Sequence, residues 1–378
     1  MSTMDDKSGE APVRRVVVHR RLPTQRRPRR ARAQRALTGL RRTFTQPDFA
    51  RTDQGVRTWG GSLAPWRLVA VGVIIILVLA FSWVRLFHIG PPSIEDLRRA
   101  AGVDEWKTLP IAVKDDQPGV AQRLANGSWE GFDIDIAYMI AGDLGFRRDE
   151  VRFYGIESED RARMEATDLE GKPVPVKMVI ASYSITERRE REPNVMFTQS
   201  YLHTEQSVIT LKGHDKVASL EEFKGKDVCS LSSSTSADAA KDSGAILTRR
   251  NRVSECFDLL DKDGDGVDAI TTDAAILGGF KARNPAKYDH WDLGLDKTEA
   301  WGVSVGANQA LRDLVNITLY RSFKDPKDAR WEQAYENIRR ETDANTTADG
   351  TFVPLARPQQ PATARPRVRE LPWEEVVP

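Results

Sequence analysis

Four short stretches place carboxylates, hydroxyls and an arginine where they could hold a small polar molecule. In Ser182-Tyr183-Ser184-Ile185-Thr186-Glu187-Arg188-Arg189 an apolar run ends in hydroxyls and enters a helix. Ser184 and Glu187 have the spacing of a capping box. Arg189 follows, and a planar guanidinium beside free N–H groups suits a carboxylate, which it can grip with two parallel hydrogen bonds. In Leu231-Ser232-Ser233-Ser234-Thr235-Ser236-Ala237 a strand passes into a helical segment. Its hydroxyls and N–H groups could receive an anion at a helix start. In Val267-Asp268-Ala269-Ile270-Thr271-Thr272-Asp273 a strand carries Asp273 at its carboxyl end. Open α/β sheets contact their ligands there, and the carboxylate could pair with an ammonium group. In Glu130-Gly131-Phe132-Asp133-Ile134-Asp135-Ile136-Ala137 the glycine allows a turn and an Asp can cap the helix that follows. Each stretch also has a plain structural alternative: a surface arginine in a charged helix, or a polar residue that merely caps.

The elements that must position these groups alternate in type. LPIAV (109–113), VKMVIASYS (176–184), QSVITL (206–211), DVCSL (227–231) and VDAITT (267–272) read as strands separated by helical patterns. That alternation predicts an α/β architecture. The tail after about Leu355 holds Pro358, Pro361, Pro366 and Pro372 among Arg and Glu, and reads as extended and largely disordered.

Charge is segregated along the chain. Residues 1–67 carry 16 Lys and Arg against 5 Asp and Glu, whereas the remainder carries 40 against 50. Two blocks of opposite charge suggest two environments. Between them, Leu68 to Val84 runs for 17 residues without a charge, bracketed by Arg67 and Arg85, with Trp66 and Trp83 near its ends. That is the short end of what crosses a hydrocarbon core of roughly 30 Å. A cleaved signal does not normally follow so long a leader, and no small-residue cleavage site follows the run. The reading is one uncleaved transmembrane helix. Positive charges within reach of the membrane balance, Arg51, Arg57 and Arg67 against Arg85, Arg98 and Arg99; the Arg block from Arg14 to Arg42 favours a cytoplasmic N-terminus. Residues 1–66 show no apolar period and read as a disordered basic tail able to attract anionic headgroups, without the aromatic interleaving of a nucleic-acid module.

Cys229 and Cys256 are the two cysteines, both beyond the span. In an oxidising compartment such a pair joins; facing the cytoplasm they would be two free thiols. Asp261-Lys262-Asp263-Gly264-Asp265-Gly266 mimics the start of a calcium loop, but position twelve is Thr272 instead of a bidentate Glu, so it reads as a polar turn. The five His show no metal-ligand spacing, and neither a nucleophile elbow nor a phosphate loop is present. The expectation is therefore a protein that is not an enzyme, with no cofactor, no metal and no nucleic-acid partner.

In this order and spacing the stretches carry a family resemblance. The matching residues are Val113-Lys114 through Asp116-Gln117-Pro118-Gly119, Gly131-Phe132-Asp133-Ile134-Asp135, Tyr183-Ser184-Ile185-Thr186 with Arg189, Phe197 with Tyr201, Ser234-Thr235-Ser236, and Val267-Asp268-Ala269 through Asp273. From about residue 105 to 340 the chain resembles the family 3 bacterial solute-binding proteins, the periplasmic receptors for polar amino acids, and looks most like their actinobacterial glutamate- and glutamine-binding group. The two cysteines fit that group too.

The resemblance implies a two-lobed Venus-flytrap (periplasmic-binding-protein type II) domain behind the transmembrane helix. The expected divisions are a tail at 1–66, the span at 67–89, a linker at 90–104, the binding domain at 105–355 and a second tail at 356–378. Lobe one would comprise 105–203 and 302–355, lobe two 207–298. By resemblance Arg189 grips the ligand's α-carboxylate, with Thr235 and Ser234 helping from the other lobe. Asp273 takes its α-ammonium, and Ser182 or Ser184 assists. Arg161 and Lys114 would favour an acidic side chain. The implied function is capture of glutamate, glutamine or a similar amino acid outside the cell for an ABC permease and ATPase. The alternative is a sensor signalling to a cytoplasmic partner through residues 1–66. Departures from the family pattern are Lys177 in place of a usual Asp, a longer loop from Glu165 to Val176, Ser233 in place of a common Gly, and Ser200 in place of a usual Pro.

Overall fold

The computed structural model describes residues 64–86, 90–262, 264, 266–293, 298–343 and 359–369. Helix α1 (Ala64–Leu86) contains the apolar run and is three residues longer at its start than the span expected at 67–89. Pro65 is tolerated there because the first turn has no N–H partners to lose. Its 23 residues extend about 35 Å at 1.5 Å per residue. Ile74, Ile75, Ile76, Leu77 and Leu79 are all exposed, and the stretch Pro65–Trp83 has a mean hydropathy of 2.3. A helix apolar and exposed all round is what a bilayer accommodates.

Helix α2 (Ile94–Ala101) opens the globular part. Ser93 caps it in a full capping box with Asp96, and Gly102 closes it in the left-handed conformation. Lobe one is built on β1 (Leu109–Val113), which pairs in parallel with β5 (Val151–Gly155) on one side and β8 (Met178–Val179) on the other. The strands β2 (Asp116–Gln117), β3 (Ala121–Arg123) and β4 (Trp129–Glu130) form a small separate sheet. It leads into α3 (Phe132–Asp143). The long loop seen in the sequence is a hairpin, β6 (Glu165–Thr167) and β7 (Pro173–Pro175), added antiparallel at the sheet's edge. Pro173 and Pro175 cannot donate to a further strand, which blunts that edge. The short helix α4 (Glu187–Glu190) follows β8.

Strand β9 (Phe197–Leu211) then runs through both lobes. Lobe two contains parallel β10 (Asp227–Leu231), β11 (Ile246–Arg250) and β12 (Ala269–Asp273), with α5 (Thr235–Asp242), α6 (Val253–Leu260) and α7 (Ala274–Arg283). The far half of β9 pairs antiparallel with β12 and with β13 (Tyr288–Asp292). The near half pairs with β14 (Thr298–Ser304), from Thr298 opposite Glu205 to Ser304 opposite Phe197. Helices α8 (Gln309–Lys324) and α9 (Arg330–Asp343) return to cover lobe one, where Trp331 packs edge-on against Phe132 and donates to the Tyr201 carbonyl at 2.8 Å. Two α/β lobes sharing one long strand and one return strand are the expected Venus-flytrap arrangement.

Cys229 of β10 and Cys256 of α6 are joined, with their Cα atoms 5.6 Å apart. Closing a loop of this length stabilises by about 3.5 kcal/mol on the chain-entropy account. The calcium-like turn is put to structural use: the Asp261 carboxylate accepts from the Tyr288 hydroxyl at 2.9 Å and pairs with Lys287 at 2.6 Å. Asp263 and Asp265 lie outside the described residues, as do 1–63 and with them nearly all of the basic tail.

One expectation needs correction. Of the supposed disordered tail 356–378, residues 359–369 form an extended strap on lobe one. Gln360 accepts from Ser322 and donates to the Leu319 carbonyl on α8. Gln199 of β9 and Ala364 exchange two hydrogen bonds, and Arg369 donates its N–H to Pro92 and its guanidinium to Asp96. Pro361, Thr363 and Val368 are buried beneath it. Composition suggested disorder because the strap carries no period of its own; its apolar residues are too few to recognise until α8 and β9 supply the other surface. Ending the chain at 358 removes this burial and is expected to lower the unfolding free energy by about 2 kcal/mol in urea titration, against no change for a chain ending at 369.

Candidate ligand cleft

The lobe-one wall starts at Gly131. Its φ is +123°, and an added Cβ would strike the Val120 carbonyl, so only glycine fits. Gly131 itself occupies the cap position of α3 and makes no side-chain cap, which frees Asp133. The sequence suggested that an Asp here caps the helix. Instead, Asp133 accepts from the Ser182 N–H and the Tyr201 hydroxyl, both at 2.9 Å. Fully buried, its carboxyl is pushed up to about 7, mainly by desolvation. This contact holds Ser182 in a left-handed conformation, φ +42°, sparsely populated by non-glycine residues. The Ser182 hydroxyl donates to Gln117 Oε1 at 2.9 Å. Gln117 Nε2 is buried without a partner among the described residues.

Beyond Ser182 the chain runs beside β14, where Ile185 donates to Ala300 and Gly302 to Tyr183. Helix α4 is capped by Thr186, whose hydroxyl accepts from the Arg189 N–H; Ser184, two residues earlier, is not the cap. The Arg189 guanidinium donates to the Ser184 carbonyl at 2.6 Å and, across the cleft, to the Ser233 carbonyl at 2.7 Å. Arg161 donates to the carbonyls of Ser158, Ala181 and Ser182. Both guanidiniums lie against the Tyr183 ring, at 4.4 Å for Arg161 and 4.8 Å for Arg189. Lys114 Nζ donates to the Ser158 hydroxyl at 2.9 Å.

The lobe-two wall is made by the ends of β10 and β12. Ser233, where the resemblance led to an expected Gly, has a φ of +56°, a conformation that favours glycine. Ser234 caps α5 by accepting from the Ala237 N–H and lies 3.2 Å from the Ser230 hydroxyl, so its oxygen is already engaged. Thr235 follows at the first helical position, half-buried. Asp273 sits where a cap for α7 would, yet makes no cap hydrogen bond. Its carboxylate accepts from the Trp301 indole N–H at 2.6 Å. Burial first, and the negative charge of Glu299 second, push Asp273 up to about 7.

The electrostatics are unbalanced. Lys114, Arg161 and Arg189 are each no more than 3% exposed; the buried Asp273 acts on the two arginines, Glu299 acts on Arg189 as well, and Lys114 feels Asp115 and Asp116 instead. All of their hydrogen bonds run to hydroxyls and carbonyls, and among the described residues none of the three is ion-paired. Burial, then the charge of Arg161, pushes Lys114 down to about 7. Burial, then Arg189, lowers Arg161 as well, and it remains protonated at neutral pH. Buried cations in such number call for an anion.

Among the expected residues, Arg161 is thus brought to Ser182, Arg189 to Ser184 and the Ser233 turn, and Lys114 to the Asn251 carbonyl. The sequence did not single out Gln117, Tyr183, Trp301 or the Ser233 carbonyl as parts of the site. A cavity of about 570 Å³ against the β6–β7 hairpin, lined by Trp129, Tyr154, Asp168 and Arg252 among others, includes neither Arg189 nor Asp273.

Residues 109–337 match the profile of the bacterial extracellular solute-binding proteins, family 3. The chain belongs to that family. Among curated family 3 relatives, the glutamate-binding protein GluB of Corynebacterium efficiens is 30% identical over 227 residues, 57% of this chain and 74% of that protein. The ABC transporter glutamine-binding protein GlnH of Bacillus subtilis is 32% identical over 225 residues, 58% and 76% of the two chains. Among solved structures, an ancestral arginine-binding protein bound to glutamine superposes with a TM-score of 0.53 at 30% identity, covering 61% of this chain and 97% of its own.

Asp133→Ala leaves the Ser182 N–H and the Tyr201 hydroxyl buried without an acceptor. A loss of about 2–4 kcal/mol of stability is expected in denaturant unfolding. Ser233→Gly, by contrast, relieves a left-handed side chain and should gain about 1 kcal/mol in the same measurement.

Proposed function

We propose that the protein is a membrane-anchored, extracytoplasmic receptor for a small acidic amino acid, glutamate above all, with its N-terminus in the cytoplasm. The observation that carries this is the set of three buried cations, Lys114, Arg161 and Arg189, none of them ion-paired among the described residues. Arg189 takes the α-carboxylate, with the start of α5 at Ser234 and Thr235 opposite. Asp273 takes the α-ammonium, and Arg161 and Lys114 take the side-chain carboxylate. The unpartnered Gln117 Nε2 adds a donor beside Ser182. Ligand contacts from both lobes favour the closed state, and closure removes water from each ion pair. The glutamate- and glutamine-binding relatives support this choice of ligand. The chain works by binding rather than by catalysis, and delivery to an ABC permease and ATPase is the role that fits such a receptor. A sensory role is the second reading, motivated by the long basic tail, since anchoring alone needs far less chain. Affinity purification with and without residues 1–66 separates the two by what is retained, a permease–ATPase pair or a regulatory protein.

Calorimetric titration with the common amino acids should give saturable binding of glutamate that Arg189→Ala abolishes. Absence of binding by any amino acid to the folded protein would sink the reading.

Affinity should depend on pH in a ligand-specific way. Below about 7 the ligand-free Asp273 is protonated, binding of an ammonium must expel that proton, and affinity falls by up to about tenfold per pH unit. Above about 7 the ligand-free Lys114 loses its charge, and binding of a side-chain carboxylate must restore it. Glutamate affinity is therefore expected to peak near neutrality, while glutamine affinity falls only on the acid side. Identical profiles for the two would remove Lys114 from the side-chain subsite.

A further inference from the structure

A second set of contacts crosses the cleft away from Arg189 and Asp273. The turn after β1 meets the start of α6. Arg252 grips the Asp115 carboxylate with both terminal nitrogens, at 3.0 and 2.8 Å. The Asp116 carboxylate accepts from the Ser254 N–H at 3.0 Å and from the Ser254 hydroxyl at 3.1 Å. Beside them, Asn251 donates to Glu157 at 2.9 Å. Further along, Gly279 of α7 lies so close to the Pro118 carbonyl that a Cβ could not be accommodated, and Arg283 donates to Gln122. The turn at 115–118 is thus fitted to lobe two along its length.

We propose that Asp115 and Asp116 with Arg252 and Ser254 form a latch that sets ligand affinity without touching the ligand. These bonds join residues of different lobes, so they exist only when the lobes are closed. Any free energy they contribute multiplies the closing equilibrium, and a ligand that needs the closed state inherits the same factor in its apparent affinity. Because the latch must open before the ligand leaves, the factor falls mainly on the dissociation rate. The side chains of Arg252 and Asp115 are 39% and 25% exposed, which leaves the pair open to screening by salt. The disulfide makes the latch rigid toward the ligand cleft: Cys256 lies two residues beyond Ser254, and its partner Cys229 is on β10, which ends at the Ser232–Ser234 loop. Both grips on lobe one are therefore carried by one stapled unit. The affinity part of this inference rests on the amino-acid reading above; the closure part does not.

The test uses the full chain in lipid nanodiscs. Spin labels at Ser128→Cys and Lys241→Cys, one exposed position in each lobe, report the interlobe distance; the two native cysteines are joined and do not label. Asp115→Asn with Asp116→Asn keeps shape and removes charge, and Arg252→Gln attacks the same pair from the other lobe. Both variants should shift the ligand-free distance distribution toward open and weaken glutamate binding about tenfold, chiefly through faster dissociation. Added salt should open the unaltered chain more than either variant. Distances and dissociation rates equal to those of the unaltered chain would overturn the latch, even with glutamate still bound. If the unaltered chain binds no amino acid while the variants still open the lobes, the latch stands and the ligand reading falls. Should the double Asp variant fail to fold, Arg252→Gln alone decides by the same two readouts.

Discussion

A guanidinium held between one carbonyl from each lobe sets the terms for the whole cleft. Arg189 donates to Ser184 on its own side and to Ser233 on the other, and it is almost wholly buried. A charge in that position is costly unless its donors find acceptors. The surrounding structure supplies those acceptors: β14 fixes the Tyr183–Ile185 segment, Thr186 caps α4, and the left-handed turn at Ser233 presents its carbonyl. Two carbonyls satisfy hydrogen bonds but do not neutralise charge. The remaining deficit, shared with Arg161 and Lys114, is the ground on which an anionic ligand is proposed.

Local strain is part of the same arrangement. Ser182 and Ser233 both adopt left-handed conformations, one on each wall, and neither is glycine. Asp133 holds the first through its N–H, and the stretch from β10 into α5 holds the second. Each such residue costs on the order of 1 kcal/mol or more, which rigid surroundings must offset. The result is that the Ser182 carbonyl is aimed at Arg161 within lobe one, and the Ser233 carbonyl is shaped to meet Arg189 when the lobes close.

Much of this was legible in the sequence because local pattern carried it. Arg189, Asp273 and the Ser233–Thr235 turn each follow a strand that apolar pattern located, and the place of both cysteines beyond the apolar span pointed to their pairing. What could not be read depends on register between distant segments. Nothing near Trp301 in the chain reveals that its indole will reach Asp273, and nothing near Asp133 reveals that Ser182, not its own helix, takes the carboxylate. The caps at Ser184 and Asp273 were reasonable by spacing; an alternative partner in space won. The strap at 359–369 escaped for a related reason, since a segment with few apolar residues is recognised only by the surface it covers.

The route of the chain has a consequence for how the molecule comes into being. Lobe one takes strands from before β9, the return strand β14, helices α8 and α9, and the strap, whereas the sheet of lobe two draws only on residues 206–292. Lobe two is therefore an insertion into lobe one. As the polypeptide emerges from its N-terminal end, lobe two has every strand of its sheet while lobe one still lacks its central partner for β9 and the helices above it. Lobe two can condense first from contacts close in sequence; lobe one waits for pairings across more than a hundred residues, the kind that slow folding. During that interval β1, β5 and β8 present an uncovered apolar sheet, and the half-finished lobe is where a nascent chain of this design is most exposed to chaperones and to error.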